Sequence, residues 1–205
     1  MKKLSLTISF AAALAGLTAP ASAAPVDLTS WLVLGDSLVS SNSAKVTTAF
    51  PSEALLGSGA LDITALELQL NTASGTLGVD ALEGSALSQS FNFASSTNLR
   101  FNWTLGTDIF NAGFADLAFV LVDGTLLLPL ANVTAAELSG AFNYTFSAGA
   151  HTLALGVVDV NDVLGVSTLT VSEVNLAEGA VPEPGSLALM LAGLGVLSLR
   201  AKRRN

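Results

Sequence analysis

The 205-residue sequence contains no cysteine, one histidine and, within residues 24–180, only two cationic side chains, Lys45 and Arg100. The missing cysteines exclude a disulfide framework, a thiolate metal site and a thiol nucleophile. The single His151 has no acid or nucleophile beside it in sequence, so it reads as a hydrogen-bonded or solvent-facing histidine and not as a catalytic base. The lack of clustered Lys and Arg excludes nucleic acid as a partner, because phosphate neutralisation needs such clusters. No Gly-x-Ser-x-Gly and no phosphate-binding loop is present. Fifteen Asp and Glu stand against the two cations of residues 24–180. That acidity favours solubility and association with cations. It also leaves carboxylate pairs available for glycoside hydrolysis, although nothing in the sequence singles out a pair. A secreted glycosidase-like enzyme is therefore the third of three readings, and the expectation is a protein without catalytic activity.

Half of the residues, 51%, are hydrophobic and 12% are charged, with a mean hydropathy of +0.62. Such a chain is too apolar to stay disordered and long enough for one domain with a sizeable core. Part of the apolar excess sits at the two ends. Residues 1–23 carry Lys2 and Lys3, an apolar stretch over residues 4–17 and the small-residue site Ala21-Ser22-Ala23. That order is a secretory signal peptide, cut after Ala23 by signal peptidase.

At the other end, residues 179–184 form a linker containing Pro182-Glu183-Pro184, residues 185–199 are apolar, and residues 200–205 carry Arg200, Lys202, Arg203 and Arg204. A helix over the apolar run reaches only ~21 Å, short of a ~30 Å hydrocarbon core. The basic cluster acts as a cytoplasmic stop and places the main domain outside. A weak single span with an abrupt basic end suits a segment that stays in the inner membrane until it is cut. The two prolines fix φ and remove backbone donors, which holds the peptide extended for a protease cleft.

These three parts, in this order, resemble the PEP-CTERM sorting signal of Gram-negative bacteria that make extracellular polysaccharide. The resemblance implies processing by an exosortase, a membrane-embedded cysteine transpeptidase-like enzyme, at Pro182-Glu183-Pro184. It also implies export across the inner membrane to the cell surface or extracellular matrix, with extracellular polysaccharide as a further partner and association with biofilm.

Residues 24–178 read as strands separated by turns. Residues 116–122 and 125–129 flank Asp123-Gly124, a hairpin signal because this pair tolerates positive φ. A second hairpin is expected from residues 141–146 through 147–150 into 151–159. Its first arm either sets Phe142, Tyr144 and Phe146 on one face or alternates them with a buried face of small residues. Further strands are expected at 88–93, 99–105 and 167–175, and a short helix within 61–70. Short strands at this spacing predict an all-β, antiparallel, jelly-roll-like sandwich, flanked by the signal peptide and the C-terminal single transmembrane helix. Residues 82–91, 99–103, 116–124 and 156–162 are similar to a domain recurrent in PEP-CTERM proteins. That likeness implies a surface module of the kind used in adhesion and carbohydrate binding.

Two binding chemistries remain as the alternative reading, a carbohydrate- or calcium-binding adhesin. Asp159, Asn161 and Asp162 place three oxygen-bearing side chains in one loop, with Glu83 and Asp116 able to converge on them, which suits a structural Ca²⁺. An Asx-rich turn explains the same residues, and no other cofactor is expected. Trp31 and Trp103 offer rings on which a sugar can stack, though most aromatics of a sandwich belong to its core. The sequons at Asn102, Asn132 and Asn143 read as chance in a bacterial protein.

Overall fold

A computed structural model describes residues 23–56, 58–109 and 115–179. These belong to one compact unit, Ala21–Gly179; the other unit, Met1–Pro20 with Ala180–Asn205, lies outside the described residues. In chain order the elements are β1 (Ala23–Pro25), a 3₁₀ turn (Leu28–Ser30), β2 (Leu32–Leu34), β3 (Asp36–Val39), β4 (Ser43–Thr47), β5 (Leu61–Asp62) and α1 (Ile63–Gln69). There follow β6 (Ala81–Phe93), β7 (Thr97–Thr107), β8 (Leu117–Val122), β9 (Leu126–Asn132), β10 (Glu137–Phe146), β11 (Gly149–Val160) and β12 (Ser167–Glu178).

The strands form two antiparallel six-stranded sheets. The first runs β10-β7-β12-β4-β3 with β1 on β12, and the second runs β2-β6-β11-β8-β9 with β5 on β6. The eight principal strands, β4 and β6 to β12, thus lie in the order β4-β12-β7-β10 in one layer and β6-β11-β8-β9 in the other. This is the winding of a jelly roll.

The two sheets differ in how they are covered, and their sequences differ accordingly. Strand β10 alternates exposed and inward residues, with Phe142, Tyr144 and Phe146 packed toward the core from one face. By contrast β8 reads Leu-Ala-Phe-Val-Leu-Val without alternation, because both of its faces are buried. Ala118, Val120 and Val122 face the first sheet, while Phe119 and Leu121 pack with Leu66, Leu70 and Leu77 of α1 and the loop after it. Helix α1 begins at Asp62, whose side chain accepts from the Thr64 N–H at 2.9 Å. The buried carboxylate of Glu67 then ties down the following loop, accepting from the N–H groups of Gly75 (2.9 Å) and Leu77 (3.0 Å).

The Asp123-Gly124 turn is present between β8 and β9, with φ of 54° and 64°. The expected second hairpin is not. Strand β10 pairs with β7 in the first sheet, whereas β11 pairs with β6 and β8 in the second, so residues 147–148 carry the chain from one layer to the other. The apolar face of β10 is satisfied across the sandwich and not beside its sequence neighbour. The Phe146 ring lies 5.3 Å from that of Phe93 and 5.2 Å from that of His151, both on the opposite sheet.

Candidate functional site

Three carboxylates stand in a row across adjacent strands of the second sheet. Glu83 on β6 pairs directly with Asp159 on β11. Asp116 immediately precedes Leu117, the partner of Val158, and so continues the row on the other side. All three face the sandwich interior, since Leu155 and Val157 share the face of Asp159, Ala118 that of Asp116 and Leu87 that of Glu83. Asp116 is 8% exposed and Asp159 1% exposed. Asp116 is hydrogen-bonded, accepting from the Val160 N–H at 3.1 Å and from the Ser167 hydroxyl. Neither oxygen of Asp159 has a hydrogen-bond partner, and Oε1 of Glu83 is likewise buried without one.

Like charges opposed across a sheet repel, and burial removes the water that would screen them. The effect appears in the titration of each group. Burial first, then the charges of Asp116 and Glu83, push the Asp159 carboxyl up to about 8. Burial raises Asp116 as well, against the opposing hydrogen bonds from Ser167 and Val160. Glu83 is raised by burial and by Asp62. No cation of the sandwich compensates them, because Lys45 and Arg100 are both exposed and neither forms an ion pair among the described residues. In this arrangement no group of three acidic or imidazole side chains among the described residues stands ready to hold a metal.

The sequence reading placed Asp159, Asn161 and Asp162 in one loop, and the structure separates them. Asp159 ends the regular part of β11, where a register shift marks a bulge. The chain then leaves the sheet through Asn161 at φ 70°, whose side chain is exposed. Asp162 accepts from its own loop's Leu164 N–H at 3.0 Å, an Asx turn. Strand register sets Glu83 and Asp116 on either side of Asp159. A further polar group beside it has no mark in the sequence. Asp36 is fully buried, donates its N–H to Ser85 Oγ at 2.8 Å, and accepts from Thr47 Oγ1 and from the N–H groups of Leu55 (3.0 Å) and Leu56 (3.2 Å).

Both tryptophans pack against the core, and Trp31 also borders a shallow depression with Ser30, Leu32, Ser88, Gln89 and Ser90. Trp31 is 5% exposed and meets Phe91 edge-on at 5.8 Å in the core. Trp103 packs against the same core with its ring over Gly140, where a Cβ would come within 2.7 Å. A shallow 230 Å³ depression does open on the outer face of the second sheet, lined by Gln69, Asn71, Ser88, Ser90 and Thr152 around Leu32 and Leu121. It offers hydroxyl and amide groups but no aromatic ring.

The structure gives His151 partners that its sequence neighbourhood hides. Its Nδ1 lies 2.9 Å from Asp123 Oδ2 and its Nε2 lies 3.2 Å from Ser147 Oγ. This is the order of a Ser-His-Asp set, but Ser147 stands exposed in the connection between β10 and β11. The depression beside it is lined by Asp123 and Thr152, not by Ser147 or His151. Asp123 also accepts from the Thr152 N–H at 2.8 Å, so the set fastens the β8–β9 turn to the start of β11.

The residues expected to form the signal-peptide site (Ala21), the sorting motif (Pro182, Glu183 and Pro184), the span (185–199) and the membrane stop (Arg200, Lys202, Arg203 and Arg204) lie outside the described residues. Ala23 opens β1, exposed and paired with Ala177. No helix among the described residues is long and apolar enough to cross a membrane.

Residues 180–204 match the PEP-CTERM protein-sorting motif. No curated protein matches the sequence. Among solved structures the fold is similar to a family 35 carbohydrate binding module from Clostridium thermocellum, at 12% identity over 74% of this chain and 98% of that one, with a TM-score of 0.32. It is similar to the N-terminal cellulose-binding domain of Cellulomonas fimi β-1,4-glucanase C, at 12% identity over 74% and 90%, with a TM-score of 0.33. A third is TmCBM61 in complex with β-1,4-galactotriose, at 17% identity over 75% and 91%, with a TM-score of 0.31.

Proposed function

We propose that this chain is an exported, non-catalytic protein of the cell surface or extracellular matrix. It is delivered through the inner membrane and released by an exosortase acting at Pro182-Glu183-Pro184. The observation that carries this reading is the PEP-CTERM sorting motif at residues 180–204. The domain boundary supports it. The last strand ends at Glu178, and the Gly179 N–H donates to the Ser96 carbonyl at 2.6 Å, so the sheet is complete before the prolines begin. Replacing Glu183 by Gln, or both prolines by Ala, is expected to leave uncut precursor in the membrane of an exosortase-bearing host. Processing of these variants identical to the parent would contradict the reading.

The polar depression on the second sheet supports carbohydrate binding as a second reading, in which hydroxyl and amide side chains contact a glycan. Its test is a glycan array probed with the exported form, and a flat response leaves the matrix role without a specific sugar site.

A further inference from the structure

At the end of the sandwich where β11 hands the chain on to β12, a ring of buried polar groups joins the two sheets. Asp116, just before β8, accepts from the Val160 N–H of β11 at 3.1 Å and from the Ser167 hydroxyl of β12. Ser167 and Thr48 are tied together twice: the Ser167 N–H donates to Thr48 Oγ1 and the Thr48 N–H donates to the Ser167 carbonyl, both at 3.0 Å. Asp159 of β11 completes the ring, since Asp116 and the Thr48 hydroxyl are the polar groups nearest its oxygens. Two of the four groups thus belong with the second sheet and two with the first.

An ionised Asp159 does not fit this ring. It is 1% exposed, and no donor is well aimed at either oxygen. The charged groups packed around it among the described residues are all acidic: Asp116 beside it, Glu83 opposite on β6 with Asp62 of β5 behind, and Asp162 in the loop that follows. Asp36 of β3 is occupied by its own donors, Thr47, Leu55 and Leu56. The first sheet offers Asp159 only the neutral Thr48 and Ser167. A buried carboxylate without a partner costs far more than a neutral group, and two carboxyls at one site relieve that cost by holding a proton. A proton on Asp159 removes one charge and makes it a donor to Asp116. We propose that Asp116 and Asp159 share one proton, and that this proton latches the second sheet to the first at this end of the sandwich. Its loss sets two like charges side by side in the interior, draws in water and releases Ser167 and Thr48. The exported domain is therefore closed in neutral and mildly acidic surroundings and loosened in alkaline ones. The rise of the Asp159 carboxyl to about 8, caused first by burial and then by the charge of Asp116, agrees with that order. A group raised in the folded state contributes stability that is complete in acid and is lost as pH climbs through the folded value.

The test uses the full chain in mild detergent, with two readouts that do not involve the sorting motif. In a carboxyl ¹³C NMR titration, the resonance missing from Asp159→Asn is expected to stay at its protonated position at pH 6 and to move only near pH 8. In thermal unfolding, the Tm of the parent is expected to fall by about 4–8 °C between pH 6.5 and 8.5. Asp159→Asn keeps a donor toward Asp116 at every pH, so it is expected to lose little over that interval. The exposed Glu137→Gln is expected to follow the parent. An Asp159 carboxyl already ionised at pH 6 would overturn the proposal, and this readout on the parent stands even where the variant fails to fold. So would an alkaline loss of Tm as large in Asp159→Asn as in the parent.

Discussion

Gly156 sits in the middle of β11, opposite Phe119 on one side and Ala86 on the other. A Cβ added there would lie 2.6 Å from Phe119 Cζ and 2.6 Å from the Ser85 carbonyl oxygen. Two effects oppose each other in Gly156→Ala. Losing a glycine from a strand reduces the freedom of the unfolded chain and favours folding by about 0.5–1 kcal/mol. Forcing a methyl against a fully buried ring and a fixed backbone oxygen costs about 1–3 kcal/mol. Overpacking wins, because Phe119 is fully buried beneath α1 and the oxygen belongs to a paired strand. The net loss of about 1–2 kcal/mol corresponds to a Tm lower by about 3–8 °C in a domain of this size. Thermal unfolding followed by circular dichroism measures it. Shortening the ring with Phe119→Leu in the same chain removes one of the two clashes, so the double variant is expected to lose less than the sum of the single losses. A Gly156→Ala chain as stable as the parent would refute the packing of the second sheet against α1 as described.

Two further outcomes follow from the His151 cluster. Asp123 is held below the usual carboxylate range: its partial burial acts upward, but the hydrogen bonds from His151 and Thr152 and the charge of His151 outweigh it. A depressed acid contributes stability above its ordinary range and loses it as pH falls through the folded value. Asp123→Asn keeps the turn, since Asn also tolerates positive φ, so it should unfold more easily than the parent near neutral pH. The difference should shrink toward strongly acidic pH, and a difference that grows on acidification would contradict the assignment. The exposed Ser147 predicts no catalysis, so hydrolysis of p-nitrophenyl esters should stay at background and be unchanged in Ser147→Ala. Turnover sensitive to that substitution would contradict the non-catalytic reading.

Local signals in the sequence were enough for several elements. Asp123-Gly124 marks its own turn, the stretch 61–70 holds the short helix α1, and the alternation of residues 168–174 marks β12. In the sequence the connection after Phe146 has the look of a hairpin because its two flanking strands are adjacent. Whether such strands pair side by side or face each other across a core depends on partners far away, here β7 and β6. The candidate site divides in the same way. Asp159 and its company of acids were legible from composition, but the row depends on strand register with Glu83. Asn161 and Asp162 dropped out because the bulge and the positive φ of Asn161 end the inward alternation. Trp31 follows directly on a 3₁₀ turn capped by Asp27, which directs its ring inward to Phe91, and nothing in its own neighbourhood distinguishes that from an exposed ring.

The central claim is that this sandwich is exported and cut free at its C-terminal motif. Intact-mass analysis of the form recovered from outside the cell tests it most directly. The account predicts a product that has lost the residues before Ala24 and those following the Pro182–Pro184 region, with any transferred group appearing as added mass. An extracellular chain of the full 20.7 kDa, or one that still carries residues 200–205, would contradict it.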